Sequence, residues 1–263
     1  MLNASRPAAA GRQRGFSLLE LAIVILIMGL LLGGLLMPLS ARVDQQRFDT
    51  TTRQLDDIRA ALAGYALAND ALPCPATPAS SGRASPTASG CTVQHGFVPA
   101  VTLGLPGGRN DDQLLVDAWG NPIRYSVSDS DADADGNWDF LRPGEMRNVT
   151  VASLAPDLRV CTTAAGSSPT ACASNATTVV ATAPAVLLSM GKDWAAFSST
   201  DQQENVGATL GGGPSGRSYA VAADSVFVAR SQGQATGSEF DDVVNWVSPN
   251  ALYGQMVAAG RLP

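Results

Sequence analysis

Arg14-Gly15-Phe16-Ser17-Leu18-Leu19-Glu20 ends a basic leader and opens an apolar run. No residue from Leu21 to Leu39 is charged. One carboxylate, Glu20, therefore stands near the head of a 24-residue hydrophobic segment, 16–39. At 1.5 Å per residue such a segment is a helix of roughly 36 Å, long enough for a bilayer core of about 30 Å. An unpaired carboxylate in lipid costs about 2.5–3.5 kcal/mol even on lenient insertion scales. Glu20 thus needs a partner that its own apolar run does not supply.

Upstream, residues 1–15 carry Arg6, Arg12 and Arg14 and no acid. That is the charge pattern of an export leader. A cleaved secretory signal would have a shorter apolar core, about 7–15 residues, and a small-x-small cut site. With the basic side first, the positive-inside rule leaves the N-terminus cytoplasmic and the remainder outside. The expected organisation is a leader over 1–15 and a transmembrane and assembly helix over 16–39. An extracytoplasmic domain over 40–263 then includes the amphipathic half of the same helix.

Gly15-Phe16-Ser17-Leu18-Leu19-Glu20 resembles the prepilin peptidase motif of type IV pilins and type II secretion pseudopilins. The resemblance implies cleavage after Gly15, an N-methylated Phe16 as the new N-terminus, and Glu20 as the fifth-position acid. It also implies a partner for that acid: the N-terminal amine of a neighbouring subunit inside a filament core. Such a pair is strong where the geometry is good, and removing one member is costly. Further implied partners are other pilin or pseudopilin subunits, a prepilin peptidase and an inner-membrane assembly platform. The implied location is the bacterial inner membrane, single-pass with a periplasmic C-terminal domain, and then a periplasmic or extracellular filament. Gly29, Gly33 and Gly34 permit close helix approach, and Pro38 is a place for a kink.

The whole chain has 17 Lys and Arg against 23 Asp and Glu. Without the three leader arginines the balance is 14 against 23, near −9. An acidic, lysine-poor surface argues against nucleic acid as the main partner. Cys74, Cys91, Cys161 and Cys172 all follow the apolar segment, in what would be an oxidising compartment. The sequence-local pairs Cys74–Cys91 and Cys161–Cys172 are expected, one of three possible connectivities. A four-thiol zinc site lacks the C-x2-C spacing such sites use.

Beyond Pro38 the stripe Phe48, Leu55, Ile58, Leu62 and Tyr65 predicts an amphipathic continuation of the helix to about Ala68. Asn69, Asp70 and Leu72-Pro73-Cys74-Pro75 end it. Residues 114–127 read as strand, turn, strand around Gly120-Asn121-Pro122. Asp117-Ala118-Trp119-Gly120-Asn121-Pro122 resembles the D-P-W-G-x-P block of major pseudopilins, with Ala118 in place of Pro. Ser189-Met190-Gly191-Lys192-Asp193 resembles their S-x-G-x-D run, and Asp241-Asp242-Val243-Val244-Asn245-Trp246 their D-I-x-N-W ending, here a final strand. The expected fold is α+β: a long N-terminal helix on a small antiparallel sheet, with long disulfide-stapled loops. Segments 126–184 and 205–240 are expansions with strand-like pieces at 149–151, 179–181, 219–221 and 225–229. The tail 252–259 is a last helical turn or two.

Two acidic segments are candidate Ca2+ sites. Asp131, Asp133, Asp135 and Asp139 follow D-x-D-x-D-G-x-x-D, with Gly136 as the pivot. In an EF-hand loop such alternating carboxylates converge on the cation. The twelfth position is Arg142 where an EF-hand has a bidentate Glu; Glu145 can serve only in a longer loop, and no flanking helix pattern is present. The competing reading is a solvated acidic turn. The second candidate follows from the pseudopilin resemblance. It makes Asp193 a carboxylate ligand and Met190 a carbonyl ligand, with Asp201 and Glu204 as downstream acids. Trp194-Ala195-Ala196 replaces the glycines usual there.

An enzyme is not expected. The single histidine, His95, has no G-x-S-x-G elbow to serve, and Gly211-Gly212-Gly213-Pro214 lacks the lysine and the strand–helix context of a phosphate loop. Two function classes remain. One is a structural filament subunit, a minor pilin or pseudopilin. The other is a tip-located binding or adhesin pilin that recognises a surface, a secreted substrate or a partner pilin.

Overall fold

A computed structural model describes residues 16–194, 199–206, 225–233 and 239–262, without the side chains of 32–41. The leader with Gly15, the strand-like piece 219–221, the glycine run 211–213 and Ala195-Ala196 lie outside the described residues. The chain divides into two compact units, Met1–Gln46 and Arg47–Pro263.

Helix α1 spans Leu18–Asn69 and remains helical through Pro38. In the first unit the apolar side chains described are exposed, Leu18 at 88% and Leu30 at 71%. Among the described residues no helix is long and apolar enough to cross a membrane. The expected span 16–39 reaches into the side chains that are not described.

In the second unit α1 becomes one-sided. Thr51, Leu55, Ile58, Leu62 and Ala66 are buried, a spacing of three or four residues that keeps one face inward. Phe48 and Tyr65, expected on that stripe, sit at its edges and are only half-buried; Ala66 takes the inward place beyond Leu62. Asp70 ends the helix in the left-handed region at φ 57°, its N–H bonded to the Ala66 carbonyl at 2.9 Å. The chain is then caught by a backbone bond from Leu72 N–H to the Phe140 carbonyl at 2.7 Å.

Against this face lies an antiparallel sheet of four strands: β1 (His95–Phe97), β2 (Arg124–Val127), β5 (Ala185–Ser189) and β7 (Val243–Val247), in that order. Tyr125, Val127, Ala185, Leu187, Val243 and Val247 form one core with the helix stripe. Strand side chains alternate faces, so Val186 and Leu188 point the other way and need a second cover. Val186 gets it from a three-stranded sheet, β4–β3–β6, of β3 (Leu158–Cys161), β4 (Thr178–Ala183) and β6 (Val226–Val228). Leu188 packs on Met190 and Val206, the latter in α3 (Thr200–Val206). The long expansions are therefore partly a second layer. That layer is not wholly antiparallel, since β3 and β6 run parallel. The helix α4 (Pro249–Ala258) closes the chain and buries Leu252 and Met256.

Two expected strands are absent. Residues 114–122 make only single bridges, Arg109 with Leu115 and Val116 with Pro122. The cause is Asp117, whose Oδ1 accepts the N–H groups of Trp119 and Asn121, each at 2.9 Å, and folds the segment into a turn. Val149 follows the short helix α2 (Glu145–Asn148), and 149–151 is not extended pairing. Cys74 bonds Cys91 and Cys161 bonds Cys172, with Cα–Cα distances of 5.4 and 5.7 Å.

Candidate functional site

Four places hold the sequence-singled residues. The first is the head of α1. Ser17 caps it: its hydroxyl accepts the Glu20 N–H at 3.2 Å. Ser17-x-x-Glu20 thus has the spacing of a capping box, and a carboxylate in a first helical turn suits the helix dipole. Phe16 is 81% exposed, and Glu20 is exposed beside it. Neither side chain is buried against its own chain.

The second place is the loop between β2 and α2. Ala134 and Gly136 take positive φ, 58° and 88°, and turn the chain sharply. Asp131 accepts the N–H groups of Asp135 at 3.1 Å and Gly136 at 2.8 Å. Asp135 accepts both the backbone and side-chain N–H of Asn137. Carboxylate oxygens of Asp131, Asp133 and Asp139 lie within 4.8 Å of one another, and so do those of Asp133, Asp135 and Glu145. Asp133 belongs to both trios. Asp139 is 1% exposed; its Oδ2 accepts the Ala132 N–H at 3.0 Å, while Oδ1 is buried with no hydrogen-bond partner. Burial pushes the Asp139 carboxyl up, and the Asp133 and Asp131 charges add to this against the Ala132 N–H and the Ser130 hydroxyl. Glu145, the first residue of α2, stands where Arg142 of the twelfth position does not. The longer loop that Glu145 required is present, because the turn at Gly144, φ 94°, brings residue 145 back to the loop.

The third place is the end of β5. Gln202 donates from Nε2 to Asp193 Oδ1 and to Asp241 Oδ1, both at 2.8 Å. Asp193 is raised to about 7, first by burial and then by sharing a proton with, and standing beside, Asp241. Asp242 next to it is raised by burial, with Asn205 Nδ2 donating at 2.7 Å. Among the described residues Asp193 joins no group of three metal-ligating side chains. The acids expected downstream point elsewhere. Asp201 pairs with Arg230 at 2.7 Å and accepts the Thr163 hydroxyl and the Ala164 N–H. Glu204 accepts the Ser167 hydroxyl. Asp241 takes their place, because Ser189 pairs with Val243 and so sets the start of β7 beside the end of β5. An antiparallel match of those two blocks would have found it.

The fourth place is His95, 6% exposed, with Nδ1 2.9 Å from the Ser126 hydroxyl. Burial lowers it to about 4, against the pull of Asp157. Between pH 6.5 and about 4 the unfolded chain holds a proton on His95 that the folded chain refuses. Stability contributed by this group is full above 6.5 and falls as pH drops through that window, by about 3 kcal/mol at 1.36 kcal/mol per tenfold. Asp129, raised to about 6 by burial and then by its contact with Asp157, acts with the opposite sign. Its contribution grows as pH falls through about 6. His95→Gln is therefore expected to flatten or invert the acid limb of a urea-measured stability profile. A variant whose stability still falls between pH 6.5 and 4.5 as steeply as the parent's would show that the limb belongs to other groups.

Residues 11–36 match the family described as Prokaryotic N-terminal methylation motif. Over 156 residues the chain is 28% identical to the Type II secretion system core protein G of Pseudomonas aeruginosa. That similarity covers 49% of this chain and 96% of the relative. No solved structure matches. The exposed motif at the head of α1, together with this relative, supports the type IV pilin-like and pseudopilin family for the chain.

Proposed function

We propose that the chain is a non-catalytic subunit of a type II secretion or type IV pilus filament, made as a precursor, cut after Gly15 and assembled through α1. The observation that carries this is the Gly15-Phe16 junction inside the matched methylation motif. A helix apolar on all sides supports it, since such a helix needs to be buried in lipid or among like helices. In the proposed cycle the subunit waits in the inner membrane with its second unit periplasmic. A prepilin peptidase then processes it and an inner-membrane platform adds it to other subunits.

The finer reading is a minor or specialised subunit. About half of the chain lies outside its similarity to the core protein, and the fold carries, beside the helix-covered sheet, a β4–β3–β6 layer and the Cys161–Cys172 staple. The same added surface supports the second reading, a tip-located binding pilin. Mass spectrometry of the protein from its own cells should find Phe16 methylated at the N-terminus. A mature chain that keeps residues 1–15 would overturn the proposal. Labelling along the fibre favours the structural role, and labelling confined to its end favours the binding role.

A further inference from the structure

We propose that the loop 131–139, together with Glu145, is a Ca2+ site whose filling fastens the end of α1 to the Cys74–Cys91 staple. Five carboxylates approach one another here in two trios joined through Asp133. Acidity alone would make this only a solvated turn. Asp139 changes the balance. It is a nearly fully buried carboxylate in the first trio, with Oδ1 bonded to nothing in the protein. An unpaired buried acceptor costs about 1–3 kcal/mol, more when charged, and two further carboxylates within 4.8 Å raise that cost. A divalent cation relieves both. All the side-chain donors are oxygens, the set that a hard cation such as Ca2+ takes six to eight at a time. Glu145 fills the role of the missing twelfth-position acid.

The site's neighbours show what occupancy would hold. Trp138 donates its backbone N–H to the Ser89 carbonyl at 3.0 Å, and its ring packs so close to Gly90 that a Cβ there would lie 2.6 Å away. Cys91 follows directly and bonds Cys74. Phe140, fully buried and stacked on Tyr253, gives its carbonyl to Leu72 just past α1. The cation-bearing loop thus grips the chain on both sides of the staple. Extracellular calcium modules work at about 10⁻⁴–10⁻³ M, which sets the affinity range for the site.

The inference is independent of the filament reading, and its test uses no filament. Tb3+ added to the purified full chain should give luminescence sensitised by Trp138 and displaced by Ca2+. Ca2+ should raise the Tm relative to chelator and slow amide exchange at 70–91. Asp133→Asn and Glu145→Gln, both off the buried core, should each lose at least tenfold in Ca2+ affinity, about 1.4 kcal/mol. Trp138→Phe should lose the luminescence and keep the Ca2+ effect on Tm. Asp193→Asn should change neither. The proposal is overturned if wild type melts alike in Ca2+ and chelator. It is equally overturned if both carboxamide variants bind as wild type, or if Asp193→Asn alone removes the Ca2+ effect.

Discussion

Glu20→Ala is expected to abolish filament incorporation while leaving the fold intact. Glu20 is exposed at the head of α1, and the bond its residue makes there is from its backbone N–H to Ser17. Alanine keeps that N–H and is the best helix former, so the melting temperature should not move. Membrane retention should not suffer either, because the change removes a charge from an apolar segment. Assembly is different. If Glu20 meets the Phe16 amine of a neighbour in a dry core, deleting the carboxylate leaves that amine buried and alone. Breaking such a pair costs about 3–5 kcal/mol, more than a hundredfold in incorporation at 1.4 kcal/mol per tenfold. Sheared-filament fractions measure it. Wild-type amounts of the variant in those fractions would remove Glu20 from the assembly mechanism.

Gly191→Ala should be among the most damaging single changes in the second unit. Gly191 turns the chain out of β5 at φ 62°, a region L side chains rarely adopt. Its carbonyl accepts the Asn121 Nδ2–H at 2.7 Å, and a Cβ would sit 2.6 Å from the Asp241 backbone oxygen. Asp241 is held in place by the Lys192 and Asp193 N–H groups on its carboxylate, so it cannot simply retreat. Left-handed strain costs about 1–3 kcal/mol and overpacking about 1–3 more. The expected loss is about 3 kcal/mol or more, a fall of about 6–12 °C for a domain of this size. Gly254→Ala is the control. It is exposed in α4 with no heavy atom within 4 Å of the added methyl, and should stabilise by up to about 1 kcal/mol. Equal melting temperatures for the two variants would mean that the 191 turn can relax.

Much of this was readable in the chain because the signals are local. Helix α1 announces itself by an apolar run and then a three-four spacing, and both depend on residues within two turns of each other. The central strand β5 shows as Ala185-Val186-Leu187-Leu188, apolar without alternation, because both of its faces are covered. The cysteine pairs span only 17 and 11 residues, and the structure joins those neighbours. The Ser17-x-x-Glu20 cap was also present as letters, hidden behind the motif that shares them.

What the sequence by itself determined is therefore the motif at the head of α1, the helix and the apolar strands, since each rests on neighbours in the chain. The tertiary structure alone decided three other matters. It replaced the first of the two strands expected in 114–127, the one ahead of Gly120, with a turn that starts at Asp117, because Asp117 found backbone N–H groups in reach. It turned loose expansions into a second sheet, because Val186 faces away from α1 and has to be covered. It chose which acids meet, setting Asp241 rather than Asp201 or Glu204 beside Asp193, and bringing Glu145 within reach of Asp133. The physical reason is common to all three. A carboxylate or an apolar face is satisfied by whatever atoms the fold brings within a few ångströms, and strand pairing brings residues together from far along the chain.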